Sequence, residues 1–271
     1  MIGSKPDWAA DGANLSRPNP ARIYDYLLGG HHNFAADRAA ADRVIEHLPY
    51  LKTGAIVHRA FVRRVIALFT SEGIDQFLDI GSGLPTVGNV HDLARAAVPD
   101  ARVVYVDVDP VVIAHSSKLL ADDALATIVE GDIRYPSSIL QHPEVVDLLD
   151  FQKPVGLTLT SVLHYVEDDD LAYGATEALI AALASGSLVA ISHGLLRDHT
   201  EDLVHGATDS YKAAASIKAR WRDEIVRFFE GLEVLEPGLV PTPSWRPEGP
   251  DDLMLDQVET SNFLVGVGRK P

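Results

Sequence analysis

From residue 19 to about 75 the apolar positions fall at helical spacing. Ile23, Leu27 and Leu28 share a face after the Asn19-Pro20 start, and Ile56, Ala60, Val65, Ile66 and Phe69 share another. Three helices are predicted there: the first stopped by Gly29-Gly30, the second capped by Asn33 and ended by Pro49, the third running roughly from Gly54 to Ser71. From Gln76 onward short apolar runs alternate with helical stretches. The runs predict strands at Gln76–Ile80, Arg102–Asp107, Thr127–Glu130, Val155–Ser161, Ser187–Ser192, Leu232–Leu235 and Phe263–Val267. Helices are expected over Val90–Ala97, Pro110–Leu120, Asp168–Ala184 and Tyr211–Phe229, with a polar, proline-punctuated region at 134–153.

This alternation describes an α/β fold with a mostly parallel seven-stranded sheet covered on both faces. The last two runs are joined by a proline-rich stretch instead of a helical crossover, which predicts antiparallel neighbours and a reversed element at the sheet edge. Residues 1–18 lack periodicity and read as a loose arm. The helices of 19–75 run into the first strand without a linker, so 19–271 is expected to be one domain with a helical cap over the strand ends.

The stretch QFLDIGSGLPT organises the rest. Its apolar residues suit a buried parallel strand, and Gly81 and Gly83 let the backbone turn tightly and approach a ligand. A dinucleotide fingerprint would carry a third glycine where Thr86 stands, after Pro85, which argues against a pyrophosphate on the helix start. Ligands of open parallel sheets sit outside the carboxyl ends of the strands. Collected there are Asp79, Gly81 and Gly83 after the first strand, Asp107 and Asp109 after the second, Asp132 after the third, and Ser161 to Tyr165 after the fourth. Carboxylates without phosphate-binding cations imply a neutral or cationic ligand rich in donors. Asp107 lies close to the ~20-residue spacing at which an acid accepts both ribose hydroxyls. Asp132, in Gly131-Asp132-Ile133, is placed to accept from an exocyclic amine. The competing reading is that these acids cap the helices that follow.

Composition narrows the partners. The chain has 271 residues, 46% of them hydrophobic, which supports a substantial core. With no cysteine there is no disulfide and no thiol catalysis. A formal charge of −16 repels polyanions, and the arginines at 59, 63 and 64 and the cations at 218, 220, 222 and 227 are interleaved with apolar helix positions. A small-molecule substrate is expected, with no nucleic acid and no membrane. The polar start and the lack of a long apolar run predict a cytoplasmic protein.

Together LDIGSG, VVYVDVD, VEGDI and SVLHYV resemble the class I S-adenosylmethionine-dependent methyltransferases, a Rossmann-like fold with a reversed last strand. PARIYDYLLGGHHNFAADR, QFLDIGSGLPT, YVDVDP, PSWRP and VGVGRK are similar to a bacterial family of such enzymes first catalogued as a domain of unknown function. The resemblance implies S-adenosyl-L-methionine as cofactor, with Gly81, Ser82 and Gly83 under its methionine and ribose. It implies Asp107 on the ribose hydroxyls with Val108 and Asp109 nearby, Asp132 and Ile133 flanking adenine, and Ser161, Val162 and His164 on the methyl side. Tyr24, Asp25, Gly29, Gly30, Asn33 and Phe34 form the front signature; they read as an elbow closing over the cofactor, or as a plain C-cap and turn. The segment around Arg59 resembles a helix of leucine-carboxyl-type methyltransferases in which an arginine holds the methionine carboxylate. It departs from that pattern at Val62-Arg63, where an acidic pair would stand.

Methyl transfer from a sulfonium needs alignment, water exclusion and, for an alcohol or amine acceptor, a base. His164 is the expected base, with Tyr165, Tyr24, His31 and His32 behind it. No metal-ligand spacing, nucleophile elbow or P-loop occurs, so no metal is expected. Two other readings stay open: a non-catalytic sensor of S-adenosylmethionine or S-adenosylhomocysteine, favoured if the acceptor pocket is filled, and a nicotinamide-dependent reductase, disfavoured by Thr86.

Overall fold

The computed structural model describes residues 15–85, 88–198, 201–249 and 252–271. Most of the expected arm, and Thr86, lie outside the described residues. The strands are β1 Gln76–Ile80, β2 Arg102–Asp107, β3 Ala126–Glu130, β4 Gly156–Thr160, β5 Leu188–Gly194, β6 Glu233–Val234, β7 Val240–Pro241 and β8 Phe263–Arg269. Their order is β3-β2-β1-β4-β5-β8-β6, with β7 also paired to β8. The first five are parallel, while β8 runs antiparallel to β5, β6 and β7.

The mostly parallel sheet with antiparallel pairing at the C-terminal end matches the expectation, but the reversed strand is not the edge. Leu264, Val265 and Val267 of β8 are fully buried and contribute to the cores on both faces of the sheet, so β8 takes an interior place. The two-residue β6 and β7 blunt its outer side, and β7 is an eighth strand drawn from the proline-rich connection.

The cap consists of α1 Pro20–Leu27, α2 Ala35–His47 and α3 Leu51–Ser71. Asn33 does not cap α2. Its amide donates to Asp25 and to the Gly30 carbonyl, and Phe34 takes the N-cap position, its N–H bonded to Asp37 at 2.8 Å. Helices α4 Val90–Arg95, α5 Pro110–Leu119, α6 Pro136–Leu140, α7 Pro143–Leu148 and α8 Asp169–Ala182 follow, so the polar region at 134–153 holds two short helices, each with proline in its first turn.

The long helix expected over Tyr211–Phe229 is instead α9 Glu201–Tyr211 and α10 Arg222–Val226. Between them the chain pairs elsewhere: Lys218 N donates to the His164 carbonyl at 2.8 Å and Arg220 N to that of Gly194 at 3.0 Å. Those donors are lost to a helix. The α9 helix joins the cap, and Ala207 and Tyr211 pack with Ile23, Leu27, Val44 and Ala55 in a third core separate from those of the sheet. No helix among the described residues is long and apolar enough to cross a membrane.

Candidate active site

The strand order reverses between β1 and β4, and a cleft of about 710 Å³ opens at their carboxyl ends under the cap. Asp79, Gly81 to Gly83, Asp107 to Asp109, Gly131 to Ile133, Ser161, Val162 and His164 all line it. So do Tyr24, Arg59 and Tyr165 from the sequence reading.

Asp79 lies within β1, not after it, and is 8% exposed. Burial pushes its carboxyl up to about 6, against the Thr158 hydroxyl bond and the Arg59 charge; Asp107 adds to the rise. Gly81 follows at φ +76°, where a Cβ would sit 2.6 Å from Val162 Cγ2, so only glycine allows the β1 turn to meet the β4 loop.

Asp107 is the hub of the bend. Its Oδ2 accepts from Gly83 N and its Oδ1 from Asp109 N, each at 2.9 Å. Burial raises its pKa against these bonds. Asp109 behaves as the capping alternative anticipated: Oδ1 accepts from Val111 N and Val112 N at the start of α5, and Oδ2 is bonded by Asn19 of the cap. At Asp132 burial pulls the pKa up, but the Arg134 guanidinium and backbone N–H outweigh it and the net is lowered.

On the cap side lies a residue the sequence reading missed. His58 of α3, 6% exposed, has Nδ1 3.1 Å from the Tyr24 hydroxyl and Nε2 2.8 Å from Ser192 Oγ and 3.2 Å from Ser161 Oγ. Ser161 sits at φ +59°, a left-handed conformation that costs a non-glycine residue energy. Ser192 Oγ holds it by accepting from Ser161 N at 2.8 Å. Burial, with the Arg59 and His164 charges, holds His58 down at about 3. Arg59 itself donates to the Gly88 carbonyl at 2.7 Å.

His164 is buried among Tyr165, His193 and Phe263, and burial with the Arg220 charge holds it down at about 3. The Tyr165 hydroxyl meets that of Tyr211 at 3.2 Å, and burial raises its pKa to about 12. A second depression of about 550 Å³ between α5, β3 and α7 carries none of these groups.

The elbow residues Gly29, Gly30, Asn33 and Phe34 do not line the cleft, nor do His31 and His32. They wrap the buried carboxylate of Asp25, whose Oδ2 accepts from His32 N and Asn33 Nδ2, both at 2.8 Å. Phe34 lies under the Arg22 guanidinium, which pairs with buried Asp37 at 2.9 Å. Nor is there a basic patch at 218–227: Arg220 is wholly buried and bonded to Asp169, His193 and the Val166 carbonyl. Among the described residues no group of three or more histidine or acidic side chains could hold a metal.

A central parallel sheet with a reversed C-terminal strand, a glycine bend after β1 and an acid closing β2 defines a class I methyltransferase. The chain belongs to the S-adenosyl methyltransferase family, whose model matches residues 6–271. It is therefore an S-adenosyl-L-methionine-dependent methyltransferase. Similar solved structures include a candidate methyltransferase from Thermobifida fusca YX, 39% identical over 98% of this chain and 99% of that one, with a TM-score of 0.90. Another is a DUF574 family protein from Streptomyces avermitilis MA-4680, 37% identical over 95% of this chain and 100% of that one, with a TM-score of 0.87. No curated protein matches the chain.

Proposed function

We propose that the protein is a cytoplasmic enzyme that methylates a small molecule, with S-adenosylmethionine held in the strand-tip half of the cleft. The observation that carries this reading is the convergence of Asp79, the Gly81–Gly83 bend, Asp107 and Asp132, from three strands, with Arg59 from the cap.

The donor set fits the cofactor. Asp107 spends one lone pair of each oxygen on a backbone N–H and keeps others for the two ribose hydroxyls. Gly131, Asp132 and Ile133 flank the adenine, Asp132 sharing its oxygens with Arg134. Arg59 is the partner for the methionine carboxylate, and the acidic strand tips favour a cationic sulfur. When bound, the cofactor supplies a methyl group already activated for in-line displacement. The chain's own residues align the acceptor against it, exclude water beneath the cap, and take up the acceptor's proton at His164. Ser161 and Val162 border the methyl side, with Ser161 locked by Ser192 and His58. The cleft lining runs past these residues to Leu51, Ala207 and Ile217 on the cap side, and this further wall supports an enzyme over a non-catalytic sensor.

Isothermal calorimetry tests the cofactor half directly. S-adenosylmethionine and S-adenosylhomocysteine are expected to bind and NAD is not, and Asp107→Ala should abolish binding in a folded protein. Binding of NAD in preference to both would overturn the reading.

A further inference from the structure

Beyond the strand tips the cleft continues into a chamber walled by the third core. Leu27, Val44, Leu48, Leu51, Ala207 and Ile217 line it from α1, α2 and its C-cap, α3, α9 and the segment after α9. The charged residues of the lining, Arg59, Asp79, Asp107, Asp109, Asp132 and Arg134, belong to the strand-tip half. The one other, Glu167, is exposed. An ammonium or carboxylate brought into the chamber would lose its water and find no counter-ion among the described wall residues.

Among the described residues, two polar side chains of the cleft lining have a buried atom without a partner, Ser82 in the glycine bend and His164 in the loop after β4. Neither ring nitrogen of His164, a residue only 4% exposed, takes part in a hydrogen bond; Nδ1 is sealed in the interior, and Nε2 is the nitrogen left open toward the cleft that His164 lines. His58 is the contrast, with both nitrogens engaged by Tyr24 and Ser192. A ring nitrogen that opens onto a cleft from an otherwise buried imidazole, with no protein partner, is placed to take one from a ligand.

Resting on the cofactor site proposed above, we infer that the methyl acceptor is an uncharged, largely apolar ring compound bearing a phenol-type hydroxyl, seated in this chamber with the hydroxyl against the imidazole of His164. A protonated amine and a carboxylic acid are disfavoured by the uncharged wall. Burial makes the His164 imidazole a weak base, which favours the more acidic of two hydroxyls, a phenol's over an alkanol's. A phenol, with a pKa near the ~10 of tyrosine, enters uncharged and is far the more acidic of the two hydroxyls. Its oxygen bonds to the methyl carbon as the carbon–sulfur bond breaks, the electron pair of that bond staying on sulfur to leave a neutral thioether. The hydroxyl proton passes to His164 and on to solvent, so the charge of the sulfonium departs as that proton.

The test uses the full chain and three neutral phenols of increasing size: phenol, 2-naphthol and 9-hydroxyphenanthrene. Matched controls are 2-naphthylmethylamine, protonated at neutral pH, 2-naphthoic acid and 2-cyclohexylethanol. Calorimetry is run on the complex with S-adenosylhomocysteine, and label transfer with methyl-labelled S-adenosylmethionine. At least one of the larger phenols should bind that complex at least tenfold more tightly than the acid or the alkanol and take the label as its methyl ether. His164→Ala should cut transfer more than a hundredfold while S-adenosylhomocysteine binds within threefold of wild type. Label on the amine, acid or alkanol in preference to every phenol, or no phenol binding to a complex that does hold S-adenosylhomocysteine, overturns the acceptor class and leaves the cofactor reading standing. Failure of S-adenosylhomocysteine itself to bind removes both.

Discussion

Asp107 Oδ2, at the end of β2, accepts the backbone N–H of Gly83 at 2.9 Å, so the acid that closes one strand also shapes the bend that closes its neighbour. Its other oxygen is taken by Asp109 N at the same distance. Two strand tips are thus fastened by one side chain, and the lone pairs left over face the cleft.

Asp107→Asn should therefore do more than remove a charge. An amide has one acceptor oxygen for two backbone donors and turns an NH2 group toward the other. Hydrogen bonds to charged groups contribute roughly 1.5–3 kcal/mol, so affinity for S-adenosylhomocysteine is expected to fall about 10- to 100-fold. Calorimetry on the folded variant measures this; affinity within a factor of two of wild type would remove Asp107 from the site.

Gly30 makes a contrary case. A Cβ there would lie 2.0 Å from Asp25 Oδ1, inside a buried carboxylate held by His32 N and Asn33 Nδ2. Gly30→Ala should cost about 1–3 kcal/mol of stability by overpacking, read as a lowered denaturant midpoint. Because Gly30 does not line the cleft, S-adenosylhomocysteine affinity of the folded variant should be unchanged. A loss of affinity with intact stability would show that the elbow reaches the ligand.

Much of this was legible in the sequence because strand-to-helix turns are local. The first five strands, the glycine bend and the acids at the strand tips each announce themselves within a few residues. What was not legible depends on partners far along the chain. His58 hides in the apolar rhythm of α3, and its role exists only because Ser161 and Ser192 reach it across 103 and 134 residues. The run Tyr211–Phe229 carries helix-forming residues, yet its middle is claimed by the His164 and Gly194 carbonyls. Asn33 has the chemistry of a cap and spends it on Asp25. The family-like front signature likewise reads as a contact set for a ligand, whereas most of it builds the frame that holds Tyr24 against His58.

Arg220 tests whether that frame extends to the methyl side. Its wholly buried guanidinium donates to Asp169 at 2.9 Å and to the Val166 carbonyl at 2.8 Å, and meets His193 Nε2 at 2.8 Å, tying the loop after β4 to β5. Arg220→Ala leaves the Val166 carbonyl and His193 Nε2 without a partner, while half-exposed Asp169 keeps Lys218; each buried group so orphaned costs about 1–3 kcal/mol. Thermal unfolding reads it out. A change below 1 kcal/mol would mean that water replaces the guanidinium.

The buried histidines set how stability responds to acid. Burial holds His58 and His164 at about 3, with Arg59 adding to it at the first and Arg220 at the second, whereas an unfolded chain returns them to about 6.5. His193 is likewise held well below that value. Between those limits the unfolded chain binds more protons than the folded one, so the stability these groups confer is complete above about pH 6.5 and is lost as pH falls toward 3. Asp79, raised from 3.8 to about 6, works the other way, since its folded form takes up a proton first as pH falls through 6. Asp107 is raised too and shares that sign. The histidines lie further from their ordinary value than Asp79 does and outnumber the two acids, so they decide the sign. The melting temperature should fall steadily from pH 7 to pH 4.5, and His164→Gln, with no proton to take up there, should flatten the slope. A melting temperature that rises over this interval would mean that the imidazoles titrate near their ordinary value in the folded chain and that Asp79 and Asp107 set the sign.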